Sequence, residues 1–191
     1  MKFHYAGKYS GKEEDLPQRE HPANYVPYRE PDMKQLAIIA NVGAVLTMIV
    51  FGIPYALLGK PYLIDHSIEV SIGAILSLLV LFPHEVLHGI CFKEDVYMYT
   101  NLKQGMLFVV GTEDMSRARF IFMSLLPNVL FGCIPYLIFL FHPRLVGLGF
   151  FGLLCLGMGF GDYINVFNTL TQVPKGALVY LCGMHSFWYK R

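Results

Sequence analysis

HSIEVSIGAILSLLVLFPHEVLHGICF, residues 66–92, is an apolar run long enough to cross a bilayer, and it carries a histidine–glutamate–histidine pattern near one end. A helical crossing takes ~20 residues. Within it His84-Glu85-Val86-Leu87-His88 reads H-E-x-x-H. On a helix, residues four apart share a face, so His84 and His88 can hold one zinc ion. Glu85 would then sit beside a metal-bound water and can serve as its general base. The bland alternative is two histidines hydrogen-bonded inside a helical bundle, but a glutamate buried between them would still need a partner.

Working outward, three more runs have the same character. Residues 35–58, 117–141 and 144–173 are each long enough to span a bilayer. The first and third contain no acidic residue, the fourth contains only Asp162, and the run at 66–92 contains Glu69 and Glu85. Of the 191 residues, 54% are hydrophobic and 15% charged, with mean hydropathy +0.45. That is too apolar for an ordinary soluble domain. The expected fold is an all-α membrane protein: a bundle of four transmembrane helices with a short β-hairpin between the second and third. The hairpin is read at 95–110, where Asp95–Thr100 and Gly105–Val110 are rich in β-branched and aromatic residues and Asn101–Gln104 offers a polar turn. The expected domains are a polar tail, 1–34, and a membrane-embedded domain, 35–191. The tail contains Pro17, Pro22, Pro27 and Pro31, its charges nearly cancel, and it shows no cleavable signal sequence. Tyr5, Tyr25 and Tyr28 are candidate anchors at the headgroup level.

Net charge is +1, and its distribution says more than its size. Thirteen of the 15 Lys and Arg fall before the first run, in the stretch Lys93–Arg119 that leads into the third, or after the fourth; only Lys60 and Arg144 fall at the other two connections. The positive-inside rule then places both termini and the central loop in the cytoplasm of a multi-pass cell-membrane protein. No basic stripe suggests nucleic acid as a partner. Cys91, Cys133, Cys155 and Cys182 form no C-x-x-C pair and read as core or lipid-facing thiols.

A catalytic zinc commonly has three protein ligands and an open position. Asp162 is the best third candidate, because a carboxylate deep in a membrane run is costly unless paired or bound to a cation. With the expected topology, His84 and Asp162 lie at matching depth, roughly 25–27 Å from the external side at 1.5 Å per residue. His142 and His185 fall outside that depth. Glu113 and Asp114 are expected to be solvated or to cap the third helix. Asn165, Asn168 and Asn128 are candidates to orient a ligand or donate a hydrogen bond to an oxyanion, or else simply bond across helices. The glycines of the fourth run (Gly147, Gly149, Gly152, Gly157, Gly159, Gly161) suggest close helix packing, since they follow no strand and make no nucleotide fingerprint. Pro83 is expected to free a backbone carbonyl and kink the second run.

Three stretches carry a resemblance: Pro83-His-Glu-Val-Leu-His-Gly89, Gly161-Asp-Tyr-Ile-Asn165, and Val173-Pro-Lys-Gly-Ala-Leu-Val179 with the aromatic tail Phe187-Trp-Tyr189. Across about residues 66–189 the chain resembles the Putative zincin peptidase family, small multi-pass bacterial membrane proteins distantly similar to site-2 proteases. The resemblance implies His84, His88 and Asp162 as zinc ligands and Glu85 as catalytic base. Site-2 proteases proper carry Leu-Asp-Gly where this chain has Gly161-Asp162-Tyr163, and no PDZ-like domain is present in the sequence.

The leading expectation is therefore a zinc metallopeptidase acting on a peptide or membrane-protein substrate in or near the lipid bilayer. The alternatives are a non-catalytic membrane protein with a structural zinc, serving as a scaffold or immunity-type partner, and a small metal-handling transporter using His84, His88 and Asp162.

Overall fold

A computed structural model describes residues 2–101 and 105–191. The chain divides into two compact units. One comprises residues up to 30, 85–124 and 165–191; the other comprises 31–84 and 125–164.

The second unit is helical. It holds α1 (Met33–Gly59), α2 (Ser67–Leu79), the first residues of α3 (Leu81–Ile90), α5 (Ile134–Phe141), α6 (Val146–Met158) and the first residues of α7 (Phe160–Gln172). Asp32 starts α1 by accepting a hydrogen bond from the Gln35 N–H at 2.8 Å. The centre of this unit is α6, and glycines make it so. A Cβ on Gly147 would strike the α2 backbone at Glu69, one on Gly152 would come within 2.6 Å of the Tyr136 nitrogen in α5, and one on Gly157 would meet Met48 of α1 at 2.8 Å. Three neighbours therefore approach α6 closely only because these side chains are missing, as expected where small residues drive packing in lipid. Tyr55, Tyr136, Phe139, Val146, Leu153 and Leu156 fill the remaining space. The outer faces are apolar: Val42, Leu46, Ile49, Ile53 and Leu57 on α1 and Ile68, Ile72 and Leu79 on α2 are all exposed. Such a surface is unsupported in water and ordinary against acyl chains.

Among the described residues, two helices are long and apolar enough to cross a membrane, Met33–Gly59 and Arg117–Phe141, and there are up to four such spans if each of two bent pairs is one. The kink expected in the second run is present, and the fourth run adds a bend that was not expected. The second run breaks between α2 and α3 by 44°, and the fourth between α6 and α7 by 50°. Pro83 accounts for the first. Its ring displaces the carbonyl four residues earlier and offers no N–H to it, and that carbonyl belongs to Leu79, where α2 ends. Gly159 lies at the second break. The third run is continuous but irregular. It comprises α4 (Arg117–Pro127), one π turn (Asn128–Cys133) and α5.

The first unit corrects the all-α expectation, because it contains two sheets. One has the order β1-β3-β4: β1 (Phe3–Lys8) runs parallel to β3 (Val96–Asn101), and β3 pairs antiparallel with β4 (Met106–Val110). The expected hairpin is thus present, with Tyr97 opposite Val110 and Asn101 opposite Met106; of its expected turn, Asn101–Gln104, Asn101 belongs to β3 and residues 102–104 lie outside the described residues. The other sheet has the order β2-β7-β6-β5, formed by Val26–Pro27, His185–Tyr189, Leu178–Cys182 and Met115–Ser116. Residues 178–189 make a second hairpin closed by Gly183-Met184, with Gly183 at φ 61°. Positive φ at the first position of a two-residue turn suits glycine. Tyr28, Phe92, Val96, Met115, Phe120, Met123, Val173, Ala177 and Val179 form the core of this unit. Tyr28 is therefore core rather than a headgroup anchor, and its hydroxyl hydrogen-bonds Thr169 at 3.1 Å.

Glu113 and Asp114 are likewise not solvated. Glu113 is 4% exposed, accepts from the backbone N–H groups of Lys93 and Glu94, and pairs with Arg119 at 2.5 Å. Asp114 pairs with Arg19 at 2.8 Å and accepts from the Tyr189 hydroxyl at 2.6 Å. A buried carboxylate persists only with such partners.

Candidate metal centre

His84, Glu85 and His88 stand on α3, whose single turn brings one ligand atom of each within 4.8 Å of the others. The i, i+4 geometry expected from the sequence is therefore realised. The division between the two units falls inside this helix, between His84 and Glu85, so the cluster is a local property of one element.

In the second unit His84 has a partner 78 residues away. Its Nε2 lies 3.1 Å from Asp162 Oδ2, and the two side chains are only 16% and 15% exposed. Asp162 sits in the first turn of α7, just past the 50° break. A helix N-terminus favours a carboxylate. The same Oδ2 accepts a hydrogen bond from Asn128 Nδ2 at 2.7 Å. Asn128 is 1% exposed and fits only because residue 159 is glycine: a Cβ there would collide with its side-chain oxygen.

In the first unit His88 is buried, and its Nδ1 lies 2.9 Å from the backbone oxygen of Met123. A carbonyl only accepts, so Nδ1 donates this bond, and in the neutral ring the lone pair then lies on Nε2. Metal-ligating histidines commonly donate their second ring N–H to a carbonyl or carboxylate.

These features test whether zinc suits the residues. In a tetrahedral shell with bonds of ~2.0–2.1 Å, two ligand atoms stand about 3.3 Å apart. The His84–Asp162 separation of 3.1 Å is close to that value. Two imidazoles and a carboxylate match zinc chemistry, and His88 is already in the ligating tautomer. The donor set fits.

The other sequence candidates make the following contacts. Asn168 is buried, and its Oδ1 accepts from Gln172 Nε2 at 3.2 Å, along its own helix. The backbone carbonyl of Asn165 accepts from the Thr169 hydroxyl at 2.7 Å. His142 is exposed at the end of α5, and His185 pairs with Glu30 at 3.1 Å and Glu13 at 3.4 Å. The Met123 carbonyl was not a sequence candidate. A backbone group leaves no mark in its own residue type, and the only available signal was Pro127, four residues on.

No curated protein and no solved structure matches the chain. A family model described as Putative zincin peptidase matches residues 77–178, which include α3, Asn128 and Asp162. The aromatic tail Phe187–Tyr189 lies beyond the matched residues. With more than half of its length matched, including H-E-x-x-H and Asp162, the chain belongs to the Putative zincin peptidase family.

Proposed function

We propose that this protein is a membrane-embedded zinc metallopeptidase, similar in type to site-2 proteases, that cleaves peptide bonds in or near the bilayer. The observation that carries the reading is the meeting of His84 with Asp162 at 3.1 Å across 78 residues of sequence. Neither group has a structural reason to be placed in an apolar helix, and together they supply the pair of ligands an H-E-x-x-H site still needs.

His84, His88 and Asp162 would hold the metal, with Asn128 orienting the Asp162 carboxylate. Bound zinc supplies Lewis acidity, lowering the pKa of water and polarising a carbonyl. Glu85 takes the proton of the attacking water and returns it to the leaving amine. The apolar helices exclude bulk water, so charges at the site are weakly screened. The charge distribution supports a topology with both termini cytoplasmic. The free edge of β4, the last strand in the order β1-β3-β4, supports presentation of an extended peptide by strand addition.

The test is metal content by mass spectrometry on detergent-purified protein. About one zinc per chain is expected in wild type and in Glu85→Gln, and loss is expected in His84→Ala and Asp162→Ala. Wild type that takes up no metal when zinc is supplied defeats the reading. Full function in Glu85→Gln would instead favour a structural zinc, and metal flux in liposomes a transporter.

A further inference from the structure

Pro127 ends α4, and its ring nitrogen carries no hydrogen. In a helix the residue at 127 donates to the carbonyl four residues earlier, which here is that of Met123. That same oxygen receives His88 Nδ1–H at 2.9 Å. The π turn Asn128–Cys133 begins at the next residue, as occurs where the i to i−4 ladder is interrupted. Helix carbonyls are normally engaged by their own ladder. A carbonyl has two lone pairs and can take a side-chain donor beside its ladder bond, but one released by the ladder is open to an imidazole without competition from a backbone N–H.

We infer that Pro127 is a positioning residue for His88. By withholding a backbone N–H from the Met123 carbonyl, it reserves that oxygen for Nδ1. The ring is then fixed in rotation and in tautomer, with Nε2 presented as the ligating atom. Pro127 touches no substrate and no metal; it acts through a backbone carbonyl on a helix that contributes none of the three ligands. The inference rests on the metallopeptidase reading for what binds at Nε2, while the Pro127–Met123–His88 relation stands in the structure itself.

Pro127→Ala restores the missing N–H, which then competes with His88 for the carbonyl. Losing an orienting partner of this kind costs a metal site about 10–100-fold in affinity. Zinc dissociation constants are measured by chelator competition on the full chain in detergent, with Pro54→Ala as the control for removing a helical proline. The expected result is weakening by about 10–100-fold for Pro127→Ala and no more than twofold for Pro54→Ala. The cobalt-substituted Pro127→Ala protein should also show a shifted d–d spectrum, which a purely structural proline would leave unmoved. Affinity within twofold of wild type and an unchanged cobalt spectrum overturn the inference and leave the metallopeptidase reading intact. Wild type that binds no metal removes both. Should the variant not fold, wild-type protein with nitrogen-labelled histidine and a spin-active cadmium isotope decides the matter. Coupling of His88 to the metal through Nε2, with Nδ1 protonated, supports the inference; coupling through Nδ1 overturns it.

Discussion

Gly159→Ala should damage the metal centre without touching a ligand. The added methyl would collide with the side-chain oxygen of Asn128, and Asn128 is 1% exposed, with little room to retreat. Its Nδ2 donates at 2.7 Å to Asp162 Oδ2, the oxygen that also faces His84 Nε2. Displacing Asn128 therefore removes a hydrogen bond to a charged acceptor. Such bonds contribute about 1.5–3 kcal/mol. At 1.4 kcal/mol per tenfold, zinc affinity should fall about 10–100-fold. Asn128→Ala should fall by a similar factor, since it deletes the same donor. The double variant is the sharper test. If glycine at 159 matters only because it admits Asn128, the two losses overlap, and the double variant is no worse than the poorer single one. Chelator competition on purified protein gives all four affinities, and thermal melts separate loss of the site from loss of the fold. Unchanged affinity in Gly159→Ala refutes the reasoning, as do two losses that simply add.

Three further outcomes follow from the first unit. Glu113→Ala leaves Arg119 with the Cys91 carbonyl but no carboxylate, and the Lys93 and Glu94 N–H groups without their acceptor. Arg119 is 22% exposed, so the cost should fall at the low end for a broken buried pair, about 3 kcal/mol; a loss below about 1 kcal/mol in chemical denaturation would contradict the assignment. Asp95 accepts from the Lys2 N–H at 2.9 Å and lies 3.3 Å from His4 Nε2, and these bonds hold its carboxyl below the ordinary 3.8. A depressed carboxylate stabilises at pH above its unfolded value and loses that contribution as pH falls through the folded one. Amide protection of β1 should thus be constant from neutral pH down to about 5, fall away below 3.8, and be weak at all pH in Asp95→Asn. Proline at the outward N–H positions of β4 should lower turnover and leave zinc content intact if substrates add to that edge, whereas unaffected turnover would dismiss strand addition.

The polar cluster of the candidate site is more legible in the sequence than the architecture that surrounds it. The spacing of His84 and His88 is a local fact, and helical geometry converts it directly into a shared face. Asp162 was legible for a thermodynamic reason, since a lone carboxylate in an apolar run demands a partner. The apolar run 117–141 reappears as one continuous helical segment because its length matches a physical requirement. The strands beyond the expected β3–β4 hairpin escape the sequence for two different reasons. The β6–β7 hairpin had a signal, Gly183-Met184 between two apolar-aromatic runs, but those runs follow a long helix and read as its tail. β1 had none: its partner β3 lies some ninety residues away, and parallel pairing leaves no turn in the sequence. Glu113 was misread because an acid beside a helix start is usually solvated, and only the tertiary fold reveals Arg119 and two backbone donors beneath it.

The breaks in the two bent runs connect these levels. His84 lies five residues past the end of one helix and Asp162 four residues past the end of another, so both site residues sit in a first turn and not at mid-helix. The N–H groups of His84 and Asp162 themselves donate to the Val80 carbonyl at 2.8 Å and the Gly159 carbonyl at 3.0 Å, so what the break adds is the field of the new helix start, which favours negative charge near Asp162. At mid-helix that field would be absent. The sequence devices at the breaks, Pro83 and Gly159, are thus part of the polar site in the same sense as Pro127, which ends α4 where the Met123 carbonyl meets His88. Each interrupts a helix near the groups that carry charge. In a chain this apolar, polar chemistry is placed where regular structure stops.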